Sequence, residues 1–149
     1  MLNFNQKILI ILGIVILGIL IVFAVNNLEK TSKTQNTAQT DQSAIQWNSN
    51  LNTAMNTAQN SNKLLFVDFY ADWCGYCKQL DEKTYTNTKV KQVMAQKYVA
   101  VKVNVDQNPD LASKYGVYGL PTLIIMDSNG NEIKRVEGYQ SSSQLLSIL

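Results

Sequence analysis

The sequence predicts an α/β fold, a central mixed β-sheet flanked by helices, with an N-terminal transmembrane helix ahead of it. Three observations carry this. Short apolar, β-branched runs at residues 64–71, 98–106, 122–126 and 132–136 alternate with stretches whose apolar residues recur every three or four positions. Ser128-Asn129-Gly130 is a turn signal that joins the last two runs as a hairpin, so one edge must be antiparallel. Residues 8–25 form an unbroken apolar stretch interrupted only by Gly13 and Gly18. The expected order is α-β-α-β-α-β-β-α, with helices on both faces of the sheet.

As a helix, the first apolar stretch is about 27 Å long at roughly 1.5 Å per residue, close to the hydrocarbon thickness of a bilayer. It has no polar face, so it does not read as a buried core helix. A cleaved signal peptide is the competing reading, with Val22 and Ala24 as a small-residue cleavage site. The length of the apolar stretch favours an uncleaved anchor at residues 1–25. Lys7 on one side and Lys30 and Lys33 on the other leave the charge rule undecided. A short N-terminal tail before a single span places the following domain outside the cytoplasm, as a single-pass protein of the cell membrane. Residues 26–43 are Thr, Gln, Asn and Ser with scattered charge, a composition that cannot bury enough surface to order itself, and they read as a flexible polar tether. The globular domain is expected at residues 44–149.

Within it, Trp47, Leu51, Met55 and Ala58 have the spacing of an amphipathic first helix. The apolar run Leu64-Leu65-Phe66-Val67 begins a buried strand that ends near Ala71, and a helix opens at about Cys74. Val90, Val93 and Met94 continue the apolar face of that helix. Asn108-Pro109 starts the next helix with proline at its first position, and Gly116 ends it. Residues 141–149 are expected to form a closing helix.

The chain has 149 residues, a formal charge of +2, two cysteines and no histidine. A near-neutral charge gives no nucleic-acid footprint. Without histidine, Ser-His, Cys-His and most metal chemistry fall away. Cys74 and Cys77 stand as C-x-x-C at a helix start, where unpaired N–H groups and partial positive charge favour a thiolate at the first position. A structural zinc site needs about four ligands, more than two cysteines supply. A c-type haem attachment wants His after the second cysteine, where this chain has Lys78. A purely structural disulfide at this spacing would close almost nothing. A redox pair is the reading that the position between strand and helix favours.

The stretch from Val67 to Lys78, Val-Asp-Phe-Tyr-Ala-Asp-Trp-Cys-Gly-Tyr-Cys-Lys, resembles the active-site segment of the thioredoxin family. Val103-Asn104-Val105-Asp106-Gln107-Asn108-Pro109 and Tyr115-Gly116-Val117-Tyr118-Gly119-Leu120-Pro121-Thr122 resemble two further segments of that family, in its order. The resemblance covers most of the chain from about Lys63 and implies the thioredoxin fold, although its first strand is not evident here. Glu82, Thr84 and Tyr85 resemble membrane-linked thioredoxin-like domains more than small cytosolic thioredoxins.

The resemblance implies a thiol–disulfide oxidoreductase without cofactor or metal, working as a monomer on cysteine-containing proteins. Cys74 is expected to be the exposed attacking thiolate and Cys77 the residue that resolves the mixed disulfide. Trp73, Gly75 and Tyr76 are expected to line the substrate surface. Pro121 is expected to be cis, with the backbone of Leu120 pairing with a substrate strand beside Cys74. Asp68 interrupts an apolar strand; a carboxyl buried there rises in pKa through desolvation and becomes a candidate proton shuttle. Lys102 matches the lysine that the family keeps near this acid, beside the plain alternative of a solvated strand lysine. Gly75-Tyr76 replaces the Gly-Pro of cytosolic thioredoxins, and Cys-Gly-Tyr-Cys also occurs among periplasmic disulfide isomerases, so reductase, oxidase and isomerase all stay open. With no histidine in the dipeptide and Asp72 nearby, a moderately reducing centre is expected. One C-x-x-C cannot regenerate itself, so a membrane or soluble thiol donor or acceptor is expected as partner. The alternative class is a redox-inactive peptide-binding module of the same fold.

Overall fold

Asn50 decides where the first helix begins. Its side-chain oxygen accepts a hydrogen bond from the Thr53 backbone N–H at 2.9 Å, satisfying one of the donors that a helix start leaves unpaired. The computed structural model of the chain describes residues 44–149, and in it α1 spans Leu51–Ser61, not the longer helix expected from Trp47. Trp47 instead belongs to a two-residue strand, β1 (Trp47–Asn48), which pairs in parallel with the strand containing Ala100 and Val101. The first strand of the family pattern is therefore present, and the expected helical stripe is divided. Leu51, Met55 and Ala58 pack on one face of the sheet, and Trp47 packs on the other.

The remaining elements are β2 (Leu64–Tyr70), α2 (Gly75–Gln79), a π-helical turn (Leu80–Thr84), α3 (Thr88–Lys97), β3 (Tyr98–Asn104), α4 (Pro109–Lys114), β4 (Thr122–Met126), β5 (Glu132–Glu137) and α5 (Ser142–Ile148). The continuous helical face expected from Cys74 to Met94 is broken. Asn87 restarts the helix by accepting from the Lys89 and Val90 N–H groups at 3.0 and 3.2 Å. Gly116, at φ +59°, ends the α4 segment as expected, in a conformation that costs a residue with a Cβ. The Ser128-Asn129-Gly130 turn is fixed by Asp127, whose Oδ1 accepts from the Asn129 and Asn131 N–H groups at 2.8 and 2.9 Å.

The sheet has the order β1-β3-β2-β4-β5. β2 lies parallel to β3 and antiparallel to β4, and β4 is antiparallel to β5, so the sheet is mixed. The two-residue period of β2 sorts its side chains between two cores. Leu65, Val67 and Phe69 join Leu51, Ala54, Ala58, Val101 and Ile124 under α1. Phe66 faces the opposite way, toward Leu80, Tyr85, Val90, Met94 and Leu145. Asp68, two residues after Phe66, shares that second face, and the register sets it opposite Lys102.

The closing helix is short but anchored. Ser141 and Gln144 form a reciprocal capping box, and Leu145 is fully buried. Leu145→Ala is expected to cost about 2–5 kcal/mol through lost transfer energy and the cavity left behind. A urea unfolding curve checks this; a midpoint equal to the parent's would mean that α5 contributes no core.

The expected anchor at residues 1–25 and tether at residues 26–43 lie outside the described residues. Among the described residues, no helix is long and apolar enough to cross a membrane.

Candidate active site

β2 ends at Tyr70, and the chain turns through Ala71-Asp72-Trp73 into α2 with Cys74 as its N-cap. A sulfur at this position meets the free N–H groups of the first turn: the Cys77 N–H donates to Cys74 Sγ at 3.1 Å. Cys74 and Cys77 are joined as a disulfide. Both are buried, Cys74 at 5% exposure and Cys77 at 2%, against Ala71 with Tyr70, Val105 and Leu120 packed around them. The expectation of an exposed Cys74 is thus corrected for the oxidised form. Two of these partners, Val105 and Leu120, come from segments distant in sequence, which is why local spacing did not reveal the cover.

Around the covered disulfide stands an exposed aromatic rim. Trp73 is 71% exposed and Tyr76 61% exposed, so neither serves as core packing. The Trp73 indole N–H donates to Asp106 Oδ2 at 2.9 Å, which fixes the ring's direction while its face stays in solvent. The Asp106 backbone N–H in turn donates to Asn104 Oδ1 at 3.0 Å, and Asn104 Nδ2 donates to Asp72 Oδ2 at 3.3 Å. This chain of polar contacts ties the end of β3 to the residues before Cys74. A side chain added at Gly75 would meet open space, so the position carries no packing contact of its own. The Leu120–Pro121 peptide is cis, as expected, with Leu120 half-buried against the cysteines and Pro121 buried at the entry to β4.

Beneath the second face of the sheet, Asp68 is fully buried. Burial pushes its carboxyl up to about 6, against the opposing pull of the Lys102 ammonium and the Tyr85 hydroxyl. The Tyr85 O–H donates to Asp68 Oδ2 at 3.1 Å, and Lys102 Nζ lies 3.7 Å from the same oxygen. Asp68 Oδ1 is buried with no hydrogen-bond partner among the described residues. Lys102 is not a freely solvated strand lysine. Its ammonium lies 5.2, 4.9 and 5.7 Å from the ring centroids of Trp47, Tyr70 and Tyr85, and it pairs with Asp81 on its open side.

The structure brings the nine residues expected to form the site into two groups. Cys74, Cys77, Trp73, Gly75, Tyr76, Leu120 and Pro121 form the surface around the disulfide, and Asp68 and Lys102 form the buried pair. Sequence reasoning missed Asp81, Asp106 and Trp47, and it gave Tyr85 no role in the site. Asp81 carried a usable signal, an acid one helical turn after Cys77. Asp106 stood in the family-like segment Val103–Pro109 without a role and Trp47 read as core, because their partners are remote in the chain.

A family model described as a thioredoxin-like domain matches residues 51–149. The thiol:disulfide interchange protein DsbD of Tatumella citrea is 41% identical over 98 residues, which are 62% of this chain and 17% of that protein. The chain thus spans about a sixth of the length of this curated relative. A thioredoxin from Thermus thermophilus shares the fold with TM-score 0.64 at 24% identity, over 70% of this chain and 84% of that one. Oxidised mitochondrial thioredoxin 3 of Saccharomyces cerevisiae aligns with TM-score 0.53 at 31% identity, covering 70% and 92% of the two chains.

Proposed function

The chain belongs to the thioredoxin-like domain family, and from that membership we propose that it is a thiol–disulfide oxidoreductase that reduces or exchanges disulfides in cysteine-containing proteins. The observation that carries the reading is the Cys74–Cys77 disulfide at the head of α2, with Cys77 N–H donating to Cys74 Sγ. In the reduced form that donor and the helix N-terminus stabilise a Cys74 thiolate.

The Cys74 thiolate attacks a substrate disulfide, forming one mixed S–S bond and releasing the first substrate thiolate, which takes a proton from solvent. The Cys77 thiol then gives its proton to the Asp68 carboxylate, and the Cys77 thiolate attacks Cys74 Sγ. The Cys74–Cys77 bond forms, the mixed bond breaks, and the second substrate sulfur leaves and is protonated. The substrate gains two electrons and the domain loses them. Asp68 is suited to this role because burial raises its carboxyl to about 6, near working pH. Lys102 tunes Asp68 from 3.7 Å. Trp73, Gly75, Tyr76, Leu120 and Pro121 receive the substrate backbone and side chains around the sulfurs.

The likeness to an interchange protein supports a place in a relay, with a membrane or soluble thiol partner restoring the pair. In this reading residues 1–25 anchor the chain in the cell membrane, residues 26–43 tether it, and residues 44–149 work outside the cytoplasm. Tethering raises the effective concentration of any partner in the same membrane. Cys77→Ala in the full-length chain removes the resolving thiol and is expected to accumulate mixed disulfides with extracytoplasmic and membrane proteins. Recovery of cytosolic proteins alone would overturn the placement.

A further inference from the structure

We infer that Tyr85 is a positioning residue for the proton transfer from Cys77: its hydroxyl occupies one oxygen of Asp68 and leaves Oδ1 as the atom that receives the proton. The inference rests on the role given to Asp68 above and adds a residue that neither the motif nor the family resemblance assigns.

The two oxygens of Asp68 are served unequally. Oδ2 accepts from the Tyr85 hydroxyl at 3.1 Å and faces Lys102 Nζ at 3.7 Å. Oδ1 is buried and accepts no hydrogen bond from the described residues. A donated hydrogen bond and a nearby cation both lower an oxygen's appetite for a proton, so the incoming proton goes to the oxygen that has neither. Leaving a buried acceptor unpaired is costly, and a site that keeps one is a candidate for function.

Tyr85 is built to hold this arrangement. It is 5% exposed, with Trp47 edge-on at 4.9 Å between centroids and Phe66 at 6.2 Å. Its ring is therefore packed between two aromatic neighbours, with the hydroxyl on Asp68 Oδ2. Burial, reinforced by the Asp68 carboxyl, holds that hydroxyl well above the ordinary tyrosine range, so it keeps its proton and stays a donor. Tyr85 is the residue that closes the π-helical turn, two residues before the Asn87 cap of α3. The other charges bearing on Asp68 are Lys102 from β3 and Asp81 from the π-helical turn, and Asp81 opposes Lys102 by raising the carboxyl.

Tyr85→Phe in the full-length chain removes only the oxygen. Two readings are taken against pH: the Asp68 carboxyl by carbon-13 NMR in the oxidised protein, and the rate of mixed-disulfide release in a single turnover. Both midpoints are expected to move up by about one pH unit, the size of a lost hydrogen bond to a charged group. Incorporation of difluorotyrosine at position 85, a stronger donor of the same shape, is expected to move them down and covers the case in which Tyr85→Phe folds poorly. Unmoved midpoints beside a lowered Tm would reduce Tyr85 to packing and overturn the inference alone. An unchanged release rate in Asp68→Asn overturns the role of Asp68, and the inference with it.

Discussion

Cys74→Ser in the full-length chain lowers the rate of disulfide reduction by at least about 10³-fold, the scale on which removal of a nucleophile acts. Insulin precipitation in the presence of dithiothreitol measures it, with the uncatalysed rate as the floor. The oxygen of serine sits at the same N-cap but is far less nucleophilic than a thiolate, so the helix start and the exposed aromatic rim persist while the chemistry stops. Cys77→Ala behaves differently, because Cys74 still attacks and the reaction halts at the mixed disulfide. This pair of outcomes separates an oxidoreductase from a redox-inactive binding module, which would retain its peptide affinity and show no difference between parent and Cys74→Ser. A Cys74→Ser variant as active as the parent would remove the enzymatic reading.

Asp68→Asn is expected to have the next largest effect, and it has two independent readouts. The rate of mixed-disulfide release falls by about 10²-fold near neutral pH, the lower range for a lost general base. The stability of the oxidised protein also loses a pH dependence that the parent shows. In the folded parent the Asp68 carboxyl sits at about 6, against 3.8 for the solvent-exposed acid of an unfolded chain. Between those values the folded state binds more protons than the unfolded state, so stability falls as pH rises through that window and is flat above it. A shift of this size corresponds to about 3 kcal/mol between the acid and neutral plateaus. Denaturant midpoints of the oxidised protein at several pH values test this, and Asn in place of Asp68 flattens the curve. A parent whose stability rises with pH across the same window would mean that the carboxyl is not held in its acid form by burial.

The consequence for mechanism is that the acid is costly to the fold at neutral pH and is retained in the core. Its neighbours share that cost. Tyr85 donates to it, Lys102 lies beside it, and three aromatic rings surround the lysine. Tyr85 and Trp47 of the second core are thus arranged around one ionisable pair.

What could be read without coordinates follows from short-range rules. The C-x-x-C pair between an apolar run and a helix start, the strand Thr122–Met126, the turn at Asn129 and Gly130, and the proline-led helix after Asn108 all depend on a few neighbouring residues. The continuous apolar run that Asp68 interrupts marked it as a buried acid, and the structure places it at 0% exposure. What needed the tertiary structure depended on which strands lie side by side. Trp47 looked like the first turn of a helix because its spacing to Leu51 fits, but the edge of β3 offers backbone partners that draw it into β1. The partners of Trp73 and Lys102, Asp106 and Asp81, lie 33 and 21 residues away, and no periodicity connects them. Tyr85 reaches Asp68 from 17 residues away, at the close of a π-helical turn. Cap, turn and period are encoded within one or two turns of chain, whereas the company that a buried charge keeps is set by sheet order, and sheet order is a property of the whole domain.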